Sequence, residues 1–158
     1  MDFNPEAYLD APLDKPLERR LPLFPTDYTG VIQDAKIVPW QSKDKFDETT
    51  GMPLAGIRAE LKVSLEIPEA ERTRVNLTQP TFTIIDSMML DLTPTKAIDD
   101  SPGRNSRLRM YREATDQNKP GESFTIRKLI GKPIRVKLGH RALPSGEPTE
   151  EIKMVAKL

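Results

Sequence analysis

Residues 56–67 limit what this chain can fold into more than any other stretch. Ile57, Ala59, Leu61, Val63, Leu65 and Ile67 alternate without a break with Arg58, Glu60, Lys62, Ser64 and Glu66. Because strand side chains point alternately to opposite faces, this is a strand with one face in a core and one in water. That half-buried pattern belongs to antiparallel sheets, so a mainly β protein is expected. Pro68 ends the strand.

The flanking segments supply partners for it. Residues 27–40 read as a long first strand in which Tyr28, Gly30 and Ile32 share one parity while Ala35 and Ile37 share the other. The apolar face therefore changes sides near Gln33 and Asp34, as a β-bulge would require, and a bulge bends a strand sharply. Residues 41–53 read as a long polar loop carrying Lys43, Lys45 and Phe46. A charged turn around Glu69, Glu71, Arg72 and Arg74 leads to a third strand within 79–92, with Phe82, Ile84, Met88 and Leu90 on one side. Residues 105–115 read as a helix with Leu108, Tyr111 and Thr115 on one stripe, stopped by Asn118, Pro120 and Gly121. Residues 123–130 can form one further turn. Ile134, Val136, Leu138 and His140 alternate with Arg135, Lys137, Gly139 and Arg141, and Pro144-Ser145-Gly146 turns the chain into a last strand at 150–158.

Three strands, a helix and a two-strand hairpin, with a bent first strand, follow the order of the oligonucleotide-binding (OB) fold. The expected architecture is a five-stranded OB-fold-like Greek-key barrel with one helix between strands 3 and 4, the competing readings being an antiparallel sandwich or an open sheet with one helix. This domain occupies residues 26–158. Residues 1–25 contain Pro5, Pro12, Pro16, Pro22 and Pro25 and no strand or helix period, which predicts an extended N-terminal arm. Such an arm would set Phe3, Tyr8 or Phe24 into apolar grooves of its own domain or of a neighbouring copy, the competing reading being a disordered tail.

Composition excludes several chemistries. The 158 residues include no cysteine and one histidine, His140. Disulfides, thiolate metal sites, multi-histidine metal sites and cysteine nucleophiles are thereby absent, and no Ser-His-Asp triad can form except around His140. His140 falls on the inner parity of its strand and reads as a satisfied, half-buried side chain. Asp86, Asp91, Asp99 and Asp100 lie near one another in sequence, but their spacing fits no nuclease motif, and Asp99-Asp100-Ser-Pro-Gly has the composition of a solvated turn. There is no phosphate-cradling GxxxxGK loop and no nucleophile elbow. The expectation is a non-catalytic protein with neither metal nor cofactor. No apolar run reaches the roughly 20 residues that span a bilayer, and Asp2 and Glu6 stand where a signal region would be basic, so a soluble, cytoplasmic protein is expected.

Charge is distributed unevenly. Residues 103–141 carry eleven basic side chains against three acidic ones, net +8, within a chain whose total is zero. Such asymmetry is the footprint of an anionic partner, unless the acidic part packs beside the basic part and neutralises it.

The runs Met89-Leu90-Asp91-Leu92-Thr93, Gly103-Arg104-Asn105 with Leu108, Arg112-Glu113-Ala114, Asn118-Lys119-Pro120-Gly121, Phe124, Leu129-Ile130-Gly131-Lys132 and His140-Arg141 resemble a group of small tailed-phage proteins that bind single-stranded DNA. The resemblance covers residues 26–158. It implies an OB-fold accessory protein of DNA replication or recombination, working in the host cell cytoplasm. One departure is that such proteins commonly end in an acidic tail that recruits partners, whereas Lys153 and Lys157 stand in the last strand here.

A single-strand binder needs cations for phosphates and aromatic faces for bases. Trp40, the only tryptophan, and Phe46 are the stacking candidates, the alternative being a Trp that closes one end of the barrel. Lys43 and Lys45 accompany them in the loop. Arg58 and Lys62 on the second strand share their face with Glu60 and Glu66. Arg135, Lys137 and Arg141 share one face of the fourth strand with no acid between them and form the strongest electrostatic candidate. Tyr111 and Phe82 read as core. The competing expectation is a phage structural or regulatory module that binds another protein, or a second copy of itself, through its arm.

Overall fold

A computed structural model describes residues 3–158. Five antiparallel strands form one sheet: β1 (Asp27–Phe46), β2 (Pro53–Glu66), β3 (Thr81–Met89), β4 (Pro133–Ala142) and β5 (Pro148–Ala156), in the order β3-β2-β1-β4-β5. Strands β1 to β3 follow one another, and β4 returns to the free side of β1, which is the Greek-key connection. Among the described residues three short helices accompany the sheet: α1 (Pro5–Leu9), α2 (Glu69–Val75) and α3 (Ser106–Ala114), with α3 between β3 and β4 as expected. A single 3-10 turn at Ile126–Leu129 follows α3.

The bent first strand arises as its pattern predicts. The β1–β2 register slips between Ile32 and Asp34, so Ile32 pairs with Val63 and Asp34 with Lys62, and Gln33 is the extra residue. Before the slip Tyr28 and Ile32 face the core, and after it Ala35 does. Residues 27–31 of β1 pair with β4, whereas residues 30–41 pair with β2, so the strand serves both halves of the sheet in succession. Gly30 stands at the handover. A Cβ built there would lie 3.1 Å from Leu65 Cδ2 and 3.2 Å from the Ser64 carbonyl, closer than a well-packed interior tolerates.

The sheet is not closed. No backbone pairing joins β3 to β5, and the expected closed barrel is replaced by an open sheet whose seam is bridged by side chains of α3. Asp86 of β3 is buried. It accepts from Arg107 Nε and Nη2, the latter at 2.7 Å, and from the Tyr111 hydroxyl at 2.6 Å, while Arg107 Nη2 also donates to the Ile152 carbonyl of β5 at 2.7 Å. One guanidinium therefore holds both edges. Tyr111 is a fully buried core residue, as read from its stripe with Leu108, and burial followed by the neighbouring Asp86 pushes its hydroxyl pKa up.

Several local expectations are corrected. The stretch read as a charged turn is α2, with Glu69 and Glu71 in its first turn, Arg72 and Arg74 in its last, and Asn76 in the left-handed region at its end, an arrangement that suits the helix dipole. The segment read as the loop 41–53 is mostly strand. β1 runs on to Phe46, Ser42 Oγ accepts from the Asp44 and Lys45 N–H groups, and only residues 47–52 turn. Beyond Val38 and Arg58 this β1–β2 ribbon leaves the other strands behind, since β4 stops at Val31 and β3 at Arg58.

The arm is not wholly extended either. Asn4 accepts from the Ala7 N–H and Pro5 occupies the first turn, the pairing that starts α1. Phe3, Tyr8 and Phe24 are exposed and fill no groove of this chain; Phe3 stacks on Tyr8, and Phe24 lies under the Arg74 guanidinium at 3.7 Å. The residue that is planted is Leu23, with no exposed surface. Its N–H goes to Glu150 and its carbonyl accepts from His140 Nε2 at 2.6 Å, so the histidine is half-buried and satisfied as read. Glu150 also takes both Nη groups of Arg20, at 2.7 and 2.6 Å. Glu71 takes the Phe24 N–H, and Arg74 donates to the Pro22 carbonyl.

Two tests follow from these contacts. Asp86→Ala leaves the Arg107 guanidinium and the Tyr111 hydroxyl without their acceptor, and urea denaturation is expected to show a loss above about 2 kcal/mol. The arm root gives a pH dependence. Burial pushes the Glu150 carboxyl up, but Arg20 and the Leu23 N–H outweigh it and hold the group below the ordinary glutamate range. Arg74 hydrogen bonding, against burial and with help from the Phe24 N–H, holds Glu71 low as well. Both folded values lie under the ordinary 4.5. Their stabilisation is therefore complete above that pH and is lost as the pH falls through the lowered values. Thermal melts from pH 7 to 3 should drop below about pH 4.5, and Glu150→Gln should flatten that drop while lowering the midpoint at pH 7.

Candidate nucleic-acid interface

Register assigns the outward face. Residues directly opposite in an antiparallel pair point the same way. Ala59, Leu61 and Val63 of β2 are fully buried, so Gly56, Arg58, Glu60 and Lys62 point outward. Their partners on β1 are Trp40, Val38, Lys36 and Asp34, and on β3 Arg58 meets Met89, Glu60 meets Ser87 and Lys62 meets Ile85. Trp40, Arg58 and Lys62, chosen separately from the sequence, thus share one surface.

Trp40 is half-buried on this outer face rather than inside the sheet. It faces Gly56, where a built Cβ would stand 4.0 Å from Trp40 Cε3 and 3.4 Å from Met89 Cε. A larger residue at 56 would push against both. Ile85 and Met89, 58% and 50% exposed, give the same surface two uncovered apolar side chains. The sequence does not single them out, nor Lys36 and Val38, because alternation gives each strand an inner and an outer face but not which residues of β1, β2 and β3 stand opposite one another.

The charge of the face is mixed. Arg58 Nη2 pairs with Glu60 at 3.0 Å, while Arg58 Nε is shielded from solvent with no hydrogen-bond partner among the described residues. Lys43, Lys45 and Phe46 lie at the far end of the ribbon. Phe46 is 56% exposed, but Asp44, Asp47 and Glu48 stand beside the two lysines and leave that end net −1. Hydrogen bonding from the Thr50 and Thr49 N–H groups holds the Asp47 carboxyl below its ordinary range, so the turn keeps its negative charge.

Arg135, Lys137 and Arg141 are all exposed on the outer side of β4, each alternating with a buried neighbour or its continuation. None is in an ion pair among the described residues. Lys153 lies across Gly139 on the same side, since a Cβ at 139 would meet its side chain at 2.5 to 2.6 Å. This strip is not next to Trp40. Arg135 pairs with Thr29 and Trp40 lies eleven residues farther along β1, a contour of about 36 Å on a bent strand. The predicted residues therefore form two groups at opposite ends of β1.

A cleft of about 530 Å³ is at neither group. It lies between the loop ending in Asn105, the start of α3 and residues 122–126. Its arginines have internal partners: Arg112 covers Phe124 at 4.4 Å and donates to the Gln117 carbonyl, and Arg109 faces Glu113 at 3.7 Å. Nor do the aspartates gather. Asp86 serves the seam, Asp91 accepts from the Asn105 N–H, Asp99 accepts from Ser101, and no group of three metal-ligating side chains occurs among the described residues. No helix among them is long and apolar enough to cross a membrane.

Comparison with known proteins finds no matching family model and no significantly similar curated sequence.

Because Arg135, Lys137 and Arg141 are exposed and unpaired, replacing all three by alanine is expected to change folding stability by no more than about 0.5 kcal/mol per site. Chemical denaturation of the triple variant checks this.

Proposed function

We propose that this protein binds single-stranded DNA without catalysis and with broad sequence tolerance, as a phage protein of replication or recombination acting in the host cytoplasm. The observation that carries the reading is the placement of Trp40 on one outward sheet face with Arg58 and Lys62. An indole for stacking beside cations for phosphates is the combination that single-strand binders use. The strand order, the bulged first strand and the helix between β3 and β4 support an OB-like domain whose β3–β5 seam is joined by Arg107, and OB domains bind oligonucleotides on the face of strands 2 and 3. The β4 strip of Arg135, Lys137 and Arg141 supplies a second, purely electrostatic contact. The strand-4 and strand-1 groups would hold successive parts of one extended nucleic-acid chain.

A second reading rests on the arm. Phe3, Tyr8, Leu9, Leu13 and Leu17 are each at least 70% exposed. That apolar series fits a protein partner, a replication or recombination protein or another copy, and on this reading nucleic acid is not involved.

Fluorescence titration with poly(dT) at two salt concentrations separates the two, since Trp40 is the only tryptophan. Quenching that weakens with salt is the expected result; absence of binding at low salt, by quenching and by polarisation, would remove the DNA reading. The triple alanine variant at 135, 137 and 141 should flatten the slope of log K against log salt by about 2, from three lost phosphate contacts on a single strand.

A further inference from the structure

Between Trp40 and the bulge, the outward face sinks into a pit of about 80 Å³ lined by Asp34, Lys36, Glu60, Lys62 and Ile85. Its charges face one another across strands, with Lys62 opposite Asp34 and Glu60 opposite Lys36. Opposite charges in directly facing positions ordinarily pair. Here neither couple closes to within 4 Å among the described residues. Glu60 reaches sideways to Arg58, and Asp34 accepts from the Ala35 N–H at 2.9 Å. The pit is thus rimmed by two carboxylates that only accept and two ammonium groups that only donate, with the 58% exposed Ile85 as an apolar wall.

We infer that this pit reads the Watson–Crick edge of one base and favours guanine over thymine, which makes Glu60 a specificity-determining residue. Guanine offers two adjacent donors, N1–H and the N2 amine, and one acceptor, O6. A carboxylate takes both donors in parallel while a lysine serves O6, and Ile85 covers one face of the ring. Thymine offers a single N–H between two carbonyls and sets an oxygen against the carboxylate. Cytosine and adenine each offer one amine and fall between. The pit's size admits the edge of a base and not a whole nucleotide. Trp40 lies four residues beyond Lys36, about 13 Å along β1, where it stacks a neighbouring base.

This inference rests on the single-strand reading above, and one experiment tells their failures apart. Full-length protein is titrated by fluorescence anisotropy into labelled oligonucleotides of equal length, d(T)n, d(TC)n, d(TG)n and d(TG)n with inosine replacing guanine. At least fivefold tighter binding of d(TG)n than d(T)n is expected, with inosine losing most of the gain because it lacks the N2 amine. Glu60→Gln should erase the ratio while d(T)n is held as well or better, since Arg58 is then freed. Asp34→Asn provides a second variant should Glu60→Gln not fold, and it should reduce the ratio. Equal wild-type affinities for d(T)n and d(TG)n, an undiminished gain with inosine, or a ratio that survives Glu60→Gln would overturn the inference and leave single-strand binding standing. Failure of every oligonucleotide to bind would overturn both.

Discussion

Asp86 is the point on which the two halves of the sheet depend. An antiparallel sheet of five strands has two edges, and each edge presents backbone groups that need partners. Here the edges come close without pairing, and a single arginine from the crossing helix links a carboxylate of β3 to a carbonyl of β5. The arrangement substitutes a charged three-way contact for a ladder of backbone bonds. Asp86 and Tyr111 are buried while Arg107 keeps a third of its side chain in solvent, so the contact is costly when the buried carboxylate or its partner is missing.

The outer surface takes its geometry from strand register. Because β1, β2 and β3 pair directly, their outward faces form one continuous surface, and residues far apart in sequence, such as Trp40, Arg58 and Met89, become neighbours. The basic strip on β4 lies beside the opposite end of the bent strand β1. The net charge of the chain conceals this, since the eleven basic and three acidic side chains of residues 103–141 are balanced by an acidic excess over the rest of the chain.

Much of the sheet was legible in the sequence because the half-buried alternation is a direct consequence of strand geometry. The parity change at Gln33 and Asp34 located the bulge, and the Leu108–Tyr111 stripe located α3. What remained hidden shares a cause: it depends on long-range partners. Leu23 is one apolar residue among several in the arm, and Glu150 and His140, each more than 100 residues away, take its N–H and its carbonyl, while Glu71 holds the next N–H, that of Phe24. Asp86 looked like one of four aspartates until Arg107 met it. The extension of β1 to Phe46 is set by pairing with Pro53 and not by any pattern in the polar residues 41–45. The short α1 and α2 were signalled locally, by Asn4-Pro5 and by acids before bases at 69–74, but both signals were overshadowed by surrounding prolines and charges.

The ribbon formed by the ends of β1 and β2 has an implication for assembly. Pro39 and Pro53 lie on its two strands, and neither has an N–H to give to an incoming chain. Lysines 43 and 45 stand beside them. Sheet-to-sheet growth along this finger is therefore blocked at the positions where it would begin, although the edges are otherwise open. Copies that meet along this finger do so through side chains and not by extending the sheet.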